Sequence, residues 1–149
     1  MNNITEAEKA YLAGFTDGEG CINISKYQGK HNRTPVYNLT FTITQKNLST
    51  LEHLCSLTGL GHIYKLTYSQ NAMANMWQWK ISCRETIVLL KQIFPYLRNK
   101  SMEAELAIEF QEQQGHRNSN GKGYPATAEQ VASKEHYYLR LRELKKQIN

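Results

Sequence analysis

The stretch LAGFTDGEG, at Leu12–Gly20, decides how this sequence is interpreted. It is preceded by a candidate helix N-cap, Thr5, with Glu8 at the spacing of a capping box. The pattern predicts a helix over Thr5–Asp17 that ends at the glycines of the quoted stretch. Two carboxylates and two glycines therefore stand together at the C-terminal end of one helix.

The composition of this helix is unusual, because Ala10, Gly14 and Gly18 recur every four residues and leave one stripe almost without side chains. A glycine inside a helix costs about 1 kcal/mol relative to alanine. Close approach of another backbone is the compensation that we expect. The alternative is that Gly14 only accommodates bulky neighbours within its own fold.

Asp17 and Glu19 are placed unfavourably, since a carboxylate at a helix C-terminus opposes the helix dipole by about 0.3–1 kcal/mol. A divalent cation bound by carboxylate and backbone carbonyl oxygens would remove this conflict. Such hard oxygen ligands suit Mg²⁺ or Ca²⁺. An acidic, glycine-rich turn without any ligand explains the segment equally well, so both interpretations stay open at this point.

The rest of the chain alternates between hairpins and helices, as the change of apolar period from two to about 3.6 indicates. Predicted strands cover Cys21–Tyr27, Val36–Ile43, about His62–Tyr68 and Met76–Cys83, and predicted helices cover Asn47–Thr58, Thr86–Phe94, Ser101–Gln114 and about Thr127–Gln147. The order predicts an α+β fold in which a four-stranded antiparallel sheet has helices on its apolar face and a second, polar face. We expect one domain over residues 1–149, with a core at about 5–114, a polar loop at Gly115–Pro125 and a C-terminal helical extension at about 126–148.

Composition limits the class of protein. The chain has 149 residues, of which 40% are hydrophobic and 21% are charged, which suits one packed domain and excludes a disordered chain. Its three scattered cysteines predict thiols in a reducing, intracellular compartment, and we expect no membrane partner because no long apolar run is present. The formal net charge is +5, and residues 21–100 hold ten lysines or arginines against two acids. This distribution favours an acidic partner, although a solvated basic face is the alternative.

The polar face of the predicted sheet suggests which acidic partner this is. Its Asn, Ser, Thr, Gln and Tyr side chains can donate to and accept from base edges, and a two-stranded ribbon fits the major groove of DNA. The base-edge candidates are Asn23, Ser25, Tyr27, Asn38, Thr40, Thr42, Gln78 and Lys80, and the phosphate candidates are Lys30, His31, Arg33 and Lys46. The mixed pattern around Tyr64 and Lys65 does not orient the third strand. Trp77 and Trp79 are expected in the core, and the last helix, with Leu139, Leu141 and Leu144, is expected to pack on the domain.

The nine residues LAGFTDGEG resemble the motif of the LAGLIDADG homing endonucleases, and the αββαββα order over about Thr5–Gln114 is similar to the core of that family. The resemblance implies a saddle-like sheet and an intron- or intein-associated enzyme that cuts both strands of a long pseudo-palindromic DNA site. It also implies Mg²⁺ as cofactor, with Ca²⁺ able to bind without supporting cleavage. Because the motif occurs once, the resemblance implies a homodimer whose Ala10, Gly14 and Gly18 stripes meet.

The resemblance also assigns roles to individual residues. It implies that Glu19, where the family usually has Asp, ligates metal together with the Gly18 carbonyl. Gln45 would orient the attacking water, and Lys100 would stabilise charge on the scissile phosphate. Without the resemblance, Gln45 would be interpreted as a solvated turn residue and Lys100 as a solvent-facing lysine at a helix start.

The resemblance also bears on two further positions. Asp17 is expected to be a structural turn residue, and Ser49 stands where some single-motif members have an arginine, so a second cation at that position is not expected. The alternative function is a nucleic-acid-binding protein of the same fold that does not cleave, such as an RNA maturase or a DNA-binding regulator. The residues do not specify the sequence of the DNA target. The resemblance implies either an organelle (mitochondrion or chloroplast) or the microbial cytoplasm as the compartment.

Overall fold

The computed structural model describes residues 1–67, 75–114 and 125–147. The α+β class and the element order are as predicted. The elements are α1 (Glu6–Glu19), β1 (Gly20–Tyr27), β2 (Val36–Gln45), α2 (Leu48–Thr58), β3 (His62–Lys65), β4 (Trp77–Ser82), α3 (Arg84–Ile93), a 3₁₀ turn (Phe94–Tyr96), α4 (Ser101–Gln113) and α5 (Ala128–Gln147). The predicted loop at 115–125 lies outside the described residues except for its last position. Among the described helices, none combines the length and the hydropathy of a membrane span.

The four strands form one antiparallel sheet in the order β1-β2-β4-β3, with β1 and β3 at its edges. Alternation in the strands directs one set of side chains towards the helices. This buried set consists of Ile22, Ile24, Leu39, Phe41, Ile43, Trp79 and Ile81. It packs with apolar side chains of all five helices in one continuous core, so the sheet has one dry face and one face for solvent or a partner.

The start of α1 is as predicted and its end is not. The Glu8 N–H donates to Thr5 Oγ1 at 3.3 Å and the Thr5 N–H donates to Glu8 Oε2 at 2.6 Å, which completes the capping box. The helix continues two residues beyond Asp17, because glycine, although unfavourable in a helix, does not by itself end one. It ends at Gly20, where an added Cβ would lie 2.7 Å from the Thr16 carbonyl oxygen. The direct transition from α1 into β1 therefore requires this glycine.

Pairing with β4 settles the orientation of β3, which the sequence left open. His62 lies opposite Lys80 and Tyr64 lies opposite Gln78, so both point to the polar face. Lys65 lies on the other face, with its ammonium 5.7 Å from the centre of the Trp77 ring. The strand ends at residue 65, earlier than the predicted end, and Tyr68 lies outside the described residues.

The two tryptophans belong to the helix-covered face, as expected. Trp79 is fully buried and its indole N–H donates to the Leu60 carbonyl at 2.9 Å. Trp77 is half-buried and packs against the core.

The last helix packs against α4 and β1, as expected, through Tyr137, Leu141 and Leu144. Leu139 was wrongly assigned to this packing face. It is 54% exposed, because residues two apart lie on nearly opposite sides of a helix.

A polar cluster fixes α5 to the sheet. The Tyr37 hydroxyl donates to Glu135, and the Lys26 ammonium lies 2.8 Å from the same carboxylate. Hydrogen bonds from Lys26 and Tyr37 hold the pKa of Glu135 below its usual range. Lys26 also lies 5.9 Å from the centre of the Tyr138 ring. The cluster joins α5 to both β1 and β2 at the end of the sheet that is distant from Gly20.

Candidate active site and nucleic-acid interface

The C-terminal end of α1 is fixed by Asp17. One carboxylate oxygen accepts the Arg98 N–H at 2.8 Å, and the other accepts the N–H groups of Asn99 and Lys100 at 3.1 and 3.0 Å. In return, the Lys100 ammonium donates to the Asp17 carbonyl at 2.7 Å. Asp17 therefore joins two segments more than 80 residues apart, which is the structural role expected for it.

These contacts resolve the conflict between the Asp17 carboxylate and the helix dipole. Three backbone N–H groups and one ammonium offset the charge of Asp17 at the helix terminus, so this carboxylate does not need a metal. Glu19 differs, because it is exposed and forms no ion pair within the described residues. Of the two acids at this helix end, only Glu19 therefore keeps an uncompensated, unfavourable interaction with the helix dipole.

Three candidate residues from separate elements meet at this end of the sheet. Glu19 directly precedes Gly20, which pairs with Ile43, and Gln45 lies two residues beyond Ile43 as the last residue of β2. Lys100 is held at the same end through its contacts with Asp17. The backbone thus places positions 19, 45 and 100 at one end of the sheet. Gln45 lies opposite Trp77, so strand alternation places it on the helix-covered side at that end.

Ser49 belongs to the N-terminal cap of α2. Its hydroxyl donates to Asn47 Oδ1 at 2.7 Å and its N–H donates to the same atom at 3.1 Å. Both bonds belong to the N-terminal cap of α2.

The eight base-edge candidates share the polar face of the sheet. Cross-strand pairs place Asn23 opposite Thr40 and Ser25 opposite Asn38. Thr42 lies opposite Lys80 on the next strand. Tyr27 is 65% exposed at the end of β1. The side chains of this face form one continuous polar surface across β1, β2 and β4.

The sequence interpretation missed further residues of the polar face: Cys21 on β1, Thr44 on β2, Ser82 on β4, and His62 and Tyr64 on β3. Thr44 and Ser82 continue the alternation of residues that were selected, so extending the pattern by one step would have found them. The amide of Gln78 donates to Thr44 Oγ1 at 3.2 Å. The two β3 residues could not be found from a mixed pattern.

The phosphate candidates lie at the two ends of the sheet. Lys30, His31 and Arg33 are exposed in the connection between β1 and β2, where the Asn32 N–H donates to the Gly29 carbonyl in a turn. Lys46 is exposed directly after β2, beside the end where α1 terminates. Across the described part of the chain, none of these four side chains takes part in an ion pair.

The family model described as LAGLIDADG endonuclease matches residues 12–114, which include the quoted motif, the whole sheet and α4. The chain belongs to the LAGLIDADG endonuclease family. Within this LAGLIDADG chain, the matched range includes Glu19, Gln45 and Lys100 and leaves out α5.

Two curated relatives of this LAGLIDADG protein are described as intron-encoded. It is 37% identical over 70 residues to the probable intron-encoded endonuclease 4 of Neurospora crassa, a match that covers 46% of this chain and 13% of the relative. It is 34% identical over 92 residues to the probable intron-encoded endonuclease Cox1-I1b of Schizosaccharomyces pombe, which covers 60% of this chain and 23% of that protein. The chain therefore spans less than a quarter of the length of either relative.

Solved structures show the same fold at low sequence identity. The homing endonuclease I-CvuI, in complex with the I-CreI target, matches with a TM-score of 0.65 and 18% identity over 96% of this chain and 95% of its own. I-TnaI matches with a TM-score of 0.63 and 17% identity over the full length of both chains. I-SmaMI bound to cleaved DNA matches with a TM-score of 0.70 and 18% identity, but over 93% of this chain and only 45% of its own. The LAGLIDADG fold of this chain thus corresponds to whole chains in two of these proteins and to just under half of a chain in the third.

Proposed function

We propose that this LAGLIDADG protein is a site-specific double-strand DNA endonuclease, associated with an intron, that acts as a homodimer with a divalent metal. The observation that carries the proposal is that Glu19, Gln45 and Lys100 lie at the end of the sheet where α1 terminates, beside a continuous polar sheet face. The intron-encoded relatives and the DNA complexes among the similar folds support the substrate class.

The dimensions of the sheet suit a long DNA site. The strand β1 has eight residues and spans about 26 Å at about 3.3 Å per residue. This length corresponds to about 8 base pairs at 3.4 Å each. Lys30 and Arg33 lie at the far end of this path, where they would contact phosphates away from the cleavage point. Two copies of the surface would therefore cover about 16 base pairs.

The surface of α1 supports a homodimer. Ala10, Gly14 and Gly18 are exposed, and a Cβ added at Gly14 or Gly18 would meet nothing within 4 Å. This open space supports a role for Gly14 in contact with a second helix, and not in accommodating bulk within its own fold. Tyr11, which is 48% exposed, adds apolar area beside the stripe. Packing of two such helices would bring two copies of Glu19 to one place.

The oxygen atoms at the end of α1 fit a hard divalent cation such as Mg²⁺. Glu19 has a carboxylate without an ion-pair partner among the described residues, and Gly18 adds a backbone carbonyl. Within the described residues, no group of three or more His, Cys, Asp or Glu side chains could hold a metal, so the partner's copies of these atoms and DNA phosphate oxygens would complete the ligand set. When bound, the metal would stabilise charge on the phosphate and lower the pKa of a water molecule.

The side chains around this point have separate tasks in the proposed reaction. The Gln45 amide can both donate and accept, which suits it to orient the attacking water. The Lys100 ammonium has three donors, and the Asp17 carbonyl accepts from one of them. The remaining donors would stabilise the negative charge that develops on the scissile phosphate.

The test of cleavage uses DNA fragments that carry candidate intron insertion sites, incubated with Mg²⁺ and separately with Ca²⁺. We expect the wild-type protein to cut both strands in Mg²⁺ and to bind without cutting in Ca²⁺. The Glu19→Gln variant should bind but not cut, while Glu52→Gln, an exposed acid on α2, should behave as wild type. Binding in Mg²⁺ without any cleavage would instead identify the non-cleaving alternative.

The test of assembly is light scattering on the free protein and on its DNA complex. Gly14→Leu should give a monomer that no longer cuts both strands, although leucine raises intrinsic helix propensity. Ala132→Leu adds a similar side chain to an exposed position of α5 and should leave the dimer intact. A wild-type monomer that cuts both strands of its site would refute the homodimer.

A further inference from the structure

The C-terminal helix returns to the start of β1, close to the candidate active site. The Lys145 ammonium lies 3.5 Å from Cys21 Sγ. Cys21 is exposed, lies two residues after Glu19 and pairs with Thr42. It therefore belongs to the polar surface at the end where α1 terminates. A residue of α5 thus carries a positive charge to the surface on which the DNA is proposed to lie.

A largely buried glutamate lies on the helix that packs against α5. Glu103, in the first turn of α4, is only 5% exposed, and within the described residues it forms no ion pair. Burial raises the pKa of Glu103, and the positive charges of Lys145 and then Lys100 act in the opposite direction. One buried acid therefore attracts two ammonium groups that lie on different elements.

An unpaired buried carboxylate reduces stability, and the packing of the fold does not require one at this position. The residues around it, Ala104 and Ala107, are small and apolar. The loss of stability caused by Glu103 is explained if its negative charge acts on a group outside the core. The cap of α2 supplies no cation through Ser49, so positive charge near the scissile phosphates must come from other elements.

We propose that Lys145 is a further phosphate-binding residue of this site, and that Glu103, on the helix α4 that packs against α5, is a positioning residue whose buried charge attracts this ammonium without a direct ion pair. The inference rests on the proposed function, because it needs DNA on the polar face. Glu103 attracts the Lys145 ammonium from within the protein and does not touch the DNA. Lys145 contacts the phosphates of the DNA backbone. The helix α5, which the family match does not include, thereby completes the set of cations.

The first experiment measures DNA binding without metal, in EDTA, over a range of salt concentrations. Lys145→Gln should reduce the slope of log K against log salt by about 1 for each protomer, the contribution of one phosphate contact. Lys146→Gln removes the same charge from the next, exposed position of α5 and should leave the slope unchanged. An unchanged slope in Lys145→Gln, or an equal reduction in both variants, would overturn the inference.

The second experiment uses Glu103→Gln, which keeps the size of the side chain and removes the negative charge. Loss of a spectator acid would strengthen DNA binding, because the net charge becomes more positive. We expect the opposite: weaker binding and a reduced salt slope in a protein that is at least as stable as wild type. Tighter binding would overturn the positioning role. If the wild-type protein binds no DNA, the proposed function fails as well; if it binds and the variants do not differ from it, only this inference fails.

Discussion

Replacement of Asp17 tests whether the capping contacts at the end of α1 hold the candidate site together. Asp17→Ala removes the acceptor of three backbone N–H groups, two of them exposed and that of Lys100 partly buried. At about 1 kcal/mol for each bond, the loss is about 3 kcal/mol. Removal of the charge from a helix C-terminus returns about 0.3–1 kcal/mol, so we expect a net loss of about 2–3 kcal/mol. Asp17→Asn keeps one acceptor and should lose about half as much.

The assays are urea unfolding and thermal unfolding at a fixed protomer concentration, because association contributes to apparent stability. For a chain of this size, the melting temperature of Asp17→Ala should fall by about 4–12 °C. Glu19→Gln is the matched control: it removes an acid from the same helix end but breaks no such bonds, so its stability should equal or slightly exceed that of wild type. Asp17→Ala with the stability of Glu19→Gln would show that the three bonds contribute nothing and would refute the reasoning.

Three other substitutions test separate parts of the structure. Gly61→Ala should destabilise by more than about 2 kcal/mol in urea unfolding, because Gly61 has φ +70° and an added Cβ would lie 2.4 Å from the Lys80 carbonyl oxygen. Burial raises the pKa of Glu103 above its usual value of 4.5, so the folded state loses stability as pH rises from about that value. Glu103→Gln should therefore exceed wild type in stability at neutral pH in urea unfolding, and the difference should shrink as pH falls towards 4.5. Tyr37→Phe removes the hydroxyl bonded to Glu135 and should cost about 1 kcal/mol, measured as faster proteolysis within α5.

The parts of the fold that depend on neighbouring residues could be predicted from the sequence. The capping box at Thr5 and the alternation in β1 and β2 depend only on residues that are close in sequence. The predictions for these elements are confirmed. The end of α1 was misplaced by two residues because glycine is compatible with both a helix and its termination. The exposed position of Leu139 was missed because three leucines at spacings of two and three suggest one stripe, although a helix places the first of them on another side.

The candidate site could be predicted only through the resemblance. The contacts of Asp17 with residues 98–100 and of Cys21 with Lys145 join segments separated by more than 80 and by 124 residues. Such contacts depend on how α1, α4 and α5 pack, which no local pattern specifies. Composition did indicate a basic middle segment and a polar strand face, since these are properties of single elements.

The packing of α5 against β1 also bears on the solubility of the protein. An eight-residue edge strand exposes unpaired backbone groups, which are a template for intermolecular strand pairing. A helix beside such an edge restricts access for a second strand. A variant cut before Ala128 should therefore aggregate through β1, so attempts to reduce the protein to its family-matched portion would yield a poorer reagent than the full chain.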